Sequence, residues 1–183
     1  MQITGMPAGD AITSRIIEPL GLTRTTYPRP GDRKLDTPYL PGYIGIRTGP
    51  FFFWTERTTA WELSQFATAG AMASTELDLV AFQRALADGK LMSPAALAQM
   101  RTAVPIPGAP TMGYGLGLVR LDLSCGARAW GNLGDSATGH SGATLVTDDG
   151  RHAAMVTNTF AIAEGTTTRN HVIDSALCGT PAS

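Results

Sequence analysis

Apolar positions recur at helical spacing near the start of the chain. Within residues 4–20 a spacing of three or four predicts a helix, which Pro19-Leu20-Gly21 ends. Pro7 stands at an early position of this helix. Its apolar positions are Ala11, Ile12, Ile16 and Leu20.

Three further helices are predicted downstream. Ser74 or Thr75 caps the first of them, and Asp88-Gly89 ends it. We expect its apolar side chains to face inward: Leu77, Val80, Ala81 and Leu86. Ser93-Pro94 opens a shorter helix that runs to about Arg101, with the serine as cap. Residues 164–177 can form a closing helix, although a run of three threonines weakens it.

Strand-like patterns fill the part of the chain between these last two helices. They cover residues 114–119, 127–132, 143–147 and 152–158. The last two strands are joined by Asp148-Asp149-Gly150, which is a hairpin signal. Helices and loops followed by antiparallel strands and a final helix predict an α+β fold, with the C-terminal strands packed against helices.

Residues 23–50 show no sustained period and are rich in Pro, Gly and Thr. We therefore expect an irregular segment, with turns at Tyr27-Pro28 and Pro41-Gly42. Aromatic residues in and just after it, ending in Phe51-Phe52-Phe53-Trp54, favour an ordered loop. It covers either the core of its own domain or a substrate cleft.

Composition excludes several classes of function. The 183 residues are 43% hydrophobic and carry a formal net charge of -1, so they can bury a core but offer no basic footprint for nucleic acid. No apolar run approaches the roughly 18 residues of a membrane span, and no signal peptide opens the sequence. Neither a phosphate loop nor a metal-binding spacing of histidines is present, and no cofactor is predicted.

Two features remain open from the residues alone. Cys125 and Cys178 are either a disulfide or two buried thiols. Residues 139–143, Gly-His-Ser-Gly-Ala, come close to the G-x-S-x-G nucleophile elbow. They fail at the last position, and they lack the preceding apolar strand and the following helix that an elbow requires.

Several segments together resemble serine beta-lactamase-related proteins, most closely the Streptomyces-type D-alanyl-D-alanine carboxypeptidases. They are TGMPAGDAITSRIIEPLGLTRTTYP from Thr4, the AGAMAST to LAQM run of residues 69–100, YGLGL at Tyr114 and DLSCG at Asp122. The resemblance implies a beta-lactamase/transpeptidase-like fold and acyl transfer through a serine. It also implies a disulfide between Cys125 and Cys178 and an extracytoplasmic parent protein.

This family uses a Ser-x-x-Lys, a Tyr-x-Asn and a Lys- or His-Thr/Ser-Gly triplet. The first two are absent from the sequence, because Lys34 and Lys90 follow Gly31 and Ala87 by three residues and no tyrosine precedes an asparagine at that spacing. In the family both motifs lie upstream of the segment that matches residues 4–20. We therefore expect residues 1–183 to be a single partial domain without its N-terminal part, with no catalytic residue of its own and with exposed apolar faces that favour aggregation.

Two triplets compete for the third motif. His140-Ser141-Gly142 leaves too few residues before the hairpin turn, whereas Asn132-Leu133-Gly134 keeps every strand: 127–134, 140–147 and 151–158. We favour the second. Asn132 carries no charge and Leu133 has no hydroxyl, so recognition of a substrate carboxylate is weakened. By the same resemblance, Trp61 or Phe66 corresponds to an aromatic wall of the substrate cleft.

The sequence thus predicts a fragment of a serine hydrolase whose parent acts on D-alanyl peptides, beta-lactams or small esters, and which is inactive as this chain. The alternative is a non-catalytic protein that binds peptidoglycan peptides through a degenerate site. Neither reading predicts the oligomeric state.

Overall fold

The computed structural model describes residues 4–161 and 167–179. Helices are combined with two sheets, one of six strands that lie side by side in chain order and one of three strands. The α+β class is confirmed. The described residues divide into two compact units, the first built from residues 4–78, 134–141 and 156–161, and the second from the remainder.

The first unit opens on the predicted helix. It consists of α1 (Ala8–Ile12), a π-helical turn (Thr13–Ile17) and α2 (Glu18–Leu20), which follow one another without a break. Gly21 ends it with a left-handed φ of 63°, and its N–H donates to the Glu18 carbonyl at 3.0 Å. The predicted stop is therefore confirmed, since glycine takes this conformation without steric cost.

The prediction of an irregular segment throughout residues 23–50 is wrong from residue 43 onward. Strands β1 (Tyr43–Thr48) and β2 (Phe51–Glu56) form an antiparallel hairpin whose two-residue turn is Gly49-Pro50. β1 also pairs in parallel with β9 (Thr159–Ala161). That partner lies more than a hundred residues away in sequence, so the local pattern contained no sign of it.

The rest of the first unit connects this hairpin to the middle of the chain. A 3-10 turn (Leu63–Phe66) leads into α3 (Ala67–Gly70). Thr26 and Ala73 then form an isolated bridge. Asp78 accepts hydrogen bonds from the Arg24 N–H at 2.9 Å and the Thr25 hydroxyl at 2.8 Å, so its carboxylate fixes the segment that follows α2.

The second unit contains two of the predicted helices, α4 (Glu76–Ala87) and α5 (Pro94–Met100). α4 begins within the first unit, three residues before the boundary. Ser93 caps α5 as predicted, because its hydroxyl accepts from the Ala96 N–H at 3.3 Å. α6 (Thr167–Cys178) is the predicted closing helix; residues 164–166, which the prediction included, lie outside the described residues.

The inward face predicted for α4 is partly wrong. Leu86 is buried and packs with Leu118 and Trp130, but Leu77 is 83% exposed and Ala81 is exposed too. The helix instead buries Gln83, whose side chain is 3% exposed. A polar side chain can occupy such a position when it finds a hydrogen-bond partner, as Gln83 does.

The predicted strand over residues 114–119 is also wrong. Tyr114 ends β4 (Ala109–Tyr114), and Val119 begins β5 (Val119–Asp122), so the glycines between them form a turn. A Cβ on Gly115 would lie 2.0 Å from the Met100 carbonyl oxygen, which is why the chain needs a glycine there. β3 (Val104–Ile106) pairs with β4 on its other side.

The remaining strands follow the predicted order. They are β6 (Arg128–Asp135), β7 (Ser141–Thr147) and β8 (His152–Thr157). α6 supplies Ile173 and Leu177 to a core that contains Leu121, Ala129 and Leu145 from the strands. This cluster confirms that the C-terminal strands pack against a helix.

The Asp148-Asp149-Gly150 hairpin turn and the Cys125–Cys178 disulfide are both present as predicted. Beside the disulfide, the Ser124 N–H and hydroxyl donate to the Asp174 carboxylate at 2.8 and 2.6 Å. No helix among the described residues is long and apolar enough to cross a membrane.

Candidate active-site segments

Asn132-Leu133-Gly134 lies near the C-terminal end of strand β6. The pairing of β6 with β5 ends at Val119 opposite Gly131, so the triplet extends beyond its neighbour on that side. β7 starts only at Ser141. The strand bounds thus agree with those expected when Asn132-Leu133-Gly134 is taken as the third motif. The role of this triplet in substrate binding stays a prediction.

The Asn132 side chain is held by two hydrogen bonds. Its Nδ2 donates to the Gly117 carbonyl oxygen at 3.1 Å, and its Oδ1 accepts from Gln83 Nε2 at 3.0 Å. Gly117 lies in the turn between β4 and β5, which the Leu116 N–H ties to the Met100 carbonyl at 3.0 Å. The end of β6 is therefore fixed by both α4 and the β4–β5 turn.

The other two members of the triplet differ in their surroundings. Leu133 is half-buried and packs against the core of the second unit. Gly134 is exposed, and a Cβ placed on it would have no atom within 4 Å. Leu133 is thus an apolar packing residue without a hydroxyl, and the space beside Gly134 is open.

His140 and Ser141, which look catalytic in the sequence, do not form a nucleophile and base pair. The Ser141 side chain is buried, and its hydroxyl donates to Asp135 Oδ1 at 2.6 Å. The His140 ring lies 2.8 Å from the Thr138 hydroxyl through Nδ1 and 2.8 Å from the Leu40 carbonyl oxygen through Nε2. Each side chain is bonded to a different partner, and a strand rather than the helix of a nucleophile elbow begins at Ser141.

His140 belongs to a group that holds residues 40–43, which we call the 40–43 clasp: His140, Asn158 and Thr58. Asn158 Nδ2 donates to the Pro41 carbonyl at 2.9 Å, and the Gly42 N–H donates to the Thr58 hydroxyl at 2.7 Å. The Tyr43 N–H donates to the Asn158 carbonyl at 2.7 Å. This clasp fixes the start of β1 against the turn that follows β6.

The electrostatics of the clasp involve one carboxylate. Hydrogen bonds from the Thr58 side chain and from its N–H, the latter at 2.8 Å, hold the pKa of Glu56 below its usual value. The imidazole of His140 contributes in the same direction to a smaller extent. An ionised carboxylate therefore stands at the end of β2, beside the clasp.

Trp61 and Phe66 lie together in the first unit. Their ring centroids are 6.4 Å apart and their planes are inclined by 55°, which is a favourable geometry for two aromatic rings. The sequence left the choice between them open, and the structure makes them one pair. Immediately after Phe66, Ala67 adopts a φ of 45°, which is strained for a residue with a Cβ.

Gln83 is a residue that the sequence reasoning missed. It lies three positions from both Val80 and Leu86 on α4, so it interrupts the apolar face that the spacing predicted. The presence of one polar residue on an otherwise apolar helix face was the sequence signal that could have identified Gln83. Among the described residues, no group of three His, Cys, Asp or Glu side chains is placed to hold a metal ion.

The α+β arrangement described above is the beta-lactamase/transpeptidase-like fold, which solved structures of similar proteins share. The model of the Beta-lactamase family matches residues 2–177, and the chain belongs to that family.

Two solved structures are similar to the chain over almost its whole length. A D-stereospecific amidohydrolase from Streptomyces sp. is 37% identical, with a TM-score of 0.80 over 98% of this chain and 51% of the other. A D-amino acid amidase from Ochrobactrum anthropi SV3, complexed with L-phenylalanine amide, is 28% identical, with a TM-score of 0.81 over 96% of this chain and 52% of the other. The chain thus spans about half the length of these proteins.

Proposed function

We propose that this chain supplies the third-motif strand and the aromatic wall of a serine amidohydrolase that cleaves uncharged amides or esters of D-amino acids. The observation that carries the proposal is the neutral triplet Asn132-Leu133-Gly134 beyond the end of the β5–β6 pairing. The expected carboxypeptidase activity needs a group that holds a terminal carboxylate, and neither Asn132 nor Leu133 offers a cation or a hydroxyl.

Two further observations support this substrate class. The similar structures are those of a D-stereospecific amidohydrolase and of a D-amino acid amidase, the latter in complex with an amino acid amide. A carboxamide is uncharged, so burying it against an asparagine requires no ion pair. The Cys125–Cys178 disulfide additionally favours an extracytoplasmic location for the parent, since such bonds persist in oxidising compartments.

The chain alone is proposed to be inactive, because no Ser-x-x-Lys or Tyr-x-Asn occurs in its 183 residues. A fluorescent penicillin and D-phenylalanine amide test this point. We expect no covalent adduct on a denaturing gel and no release of ammonia. A stable adduct that survives denaturation would show that the chain carries its own nucleophile.

A second function, a binding protein without chemistry, is favoured by the same absent motifs together with the neutral triplet. It predicts that the chain binds peptidoglycan peptides saturably and without turnover. Calorimetry with D-alanyl-D-alanine peptides and with D-phenylalanine amide separates the two. Tighter binding of the peptide supports the binding protein, and tighter binding of the amide supports the amidohydrolase.

A further inference from the structure

The buried glutamine of α4 reaches the first residue of the triplet. Gln83 is 3% exposed, yet its Nε2 lies 3.0 Å from Asn132 Oδ1. Asn132 is itself exposed, and it belongs to a different element of the second unit. A buried amide that forms a hydrogen bond to an exposed amide on another element can fix the orientation of the exposed side chain.

The orientation of both amides follows from one backbone group. A carbonyl oxygen can only accept, so the Asn132 atom that faces the Gly117 carbonyl at 3.1 Å must be Nδ2. Oδ1 therefore faces Gln83, and the Gln83 atom that meets it must be the donor Nε2. The usual ambiguity between the oxygen and nitrogen of a side-chain amide is thereby resolved for both Asn132 and Gln83.

This arrangement leaves Asn132 with a defined chemical character. Its Oδ1 is turned toward a buried donor, and one Nδ2 hydrogen is used by Gly117. The second Nδ2 hydrogen is the donor that the amide has left to offer. An uncharged donor is suited to a carbonyl oxygen. It stabilises a carboxylate less than the cation found in the family's triplet does.

We propose that Gln83 is a positioning residue for substrate selection: it fixes Asn132 as a hydrogen-bond donor toward the carbonyl oxygen of an uncharged substrate. The inference rests on the proposed function for the identity of the substrate. The orientation of the two amides does not depend on that function and is tested separately.

The substitution Gln83→Glu tests the orientation. An ionised carboxylate at position 83 cannot donate to Oδ1, whereas a protonated carboxyl can, so the folded state favours the neutral form and raises the pKa of the new group. The stability provided by this bond is then present below the unfolded pKa and is lost as the pH rises through the folded pKa. Gln83→Met removes the bond at every pH, and Gln99→Glu places the same change at an exposed position of α5.

The readout is the pair of Asn132 side-chain amide resonances in the full 183-residue chain. In the wild type we expect one of the two hydrogens to exchange with solvent about fivefold to tenfold more slowly than in Gln83→Met. In Gln83→Glu the Asn132 side-chain resonances should match those of the wild type at low pH and move away from them once the new carboxyl ionises, because a carboxylate can only accept. Gln99→Glu, compared at the same pH, should behave as the wild type. Equal exchange in the wild type and Gln83→Met at one pH, or Asn132 resonances in Gln83→Glu that do not change with pH, would overturn the inference.

Titration with D-phenylalanine amide and with D-phenylalanine then tests selection. We expect the amide, and not the free acid, to shift the second Asn132 Nδ2 hydrogen, and we expect Gln83→Met to abolish the difference. A fixed orientation without this preference would refute the substrate class and the selecting role but leave the amide geometry intact. A preference that survives in Gln83→Met would keep the substrate class and refute the role of Gln83.

Discussion

At the scale of single residues, close packing against backbone distinguishes two glycines that the sequence presents alike. A Cβ on Gly42 would lie 2.1 Å from the Thr138 carbonyl oxygen and 2.6 Å from the His140 ring. A Cβ on Gly134 would meet nothing within 4 Å. Only the first glycine is required by its contacts, and it lies within the segment that the 40–43 clasp holds.

We therefore expect Gly42→Ala to lower the free energy of unfolding by about 1–3 kcal/mol, the usual range for overpacking a site that cannot move. Gly134→Ala is the matched control and should change it by no more than about 0.5 kcal/mol. Urea denaturation measures both. Equal effects of the two substitutions would show that the contact between residues 40–43 and the turn after β6 is not formed.

At the scale of elements, the β7–β8 hairpin contains a carboxylate with a strongly shifted pKa. Hydrogen bonds from Arg151, whose Nε lies 3.0 Å from Oδ2, and from the Thr147 hydroxyl lower the pKa of Asp149 from 3.8 to about 2. Arg151 also donates to the Leu177 carbonyl at the end of α6. The turn, the strand that follows it and the closing helix thus share one network.

Because the folded pKa of Asp149 is depressed, its ionised form stabilises the fold above about pH 4, and this stabilisation is lost as the pH falls toward about 2. Asp149→Asn should remove that part of the pH dependence and lower the stability at neutral pH. Denaturation midpoints between about pH 2 and pH 7 measure it. The control Asp88→Asn, which removes an exposed carboxylate at the end of α4, should keep the wild-type slope; an identical slope in Asp149→Asn would refute the network.

Elements with a local signal were predictable, and elements with a distant partner were not. The helix of residues 4–20, the Ser93 cap and the Asp148-Asp149-Gly150 turn each depend on neighbouring residues, and each is present. β1 depends on β9, and the burial of Gln83 on α4 depends on its hydrogen bond to Asn132. Neither partner can be read from spacing along the chain.

The candidate site was likewise predictable only where its features depend on residues close in sequence. The position of Asn132-Leu133-Gly134 in a strand followed from counting residues back from the hairpin turn. The pairing of Trp61 with Phe66 required the 3-10 turn between them, and the packing of Leu133 into the core required α6. The family resemblance gave the disulfide, which two cysteines alone left undecided.

At the scale of the whole molecule, the disulfide closes a loop of 53 residues in sequence separation. By the chain-entropy model a loop of this size stabilises the fold by about 4 kcal/mol. The double substitution Cys125→Ala with Cys178→Ala should therefore lower the free energy of unfolding by about 2–4 kcal/mol. Denaturant titration measures the loss, and an unchanged midpoint after full reduction of the wild type would contradict it.

Large apolar side chains are exposed on several of the described elements. The most exposed are Leu77, Val104, Phe51, Leu116, Phe53 and Ile46, at 59–83%. Three of them lie on one face of the β1–β2 hairpin, because Ile46 pairs with Phe53 and Thr48 with Phe51. Exposed apolar surface of this kind favours association.

The central claim is that the neutral triplet selects uncharged substrates, and a chimaera tests it most directly. The half of the Streptomyces amidohydrolase that this chain does not match is joined to residues 1–183, and kcat/KM is measured for D-phenylalanine amide and for a D-alanyl-D-alanine peptide. We predict a preference for the amide, which Asn132→Lys with Leu133→Thr reverses. A preference for the peptide in the unsubstituted chimaera would contradict the claim.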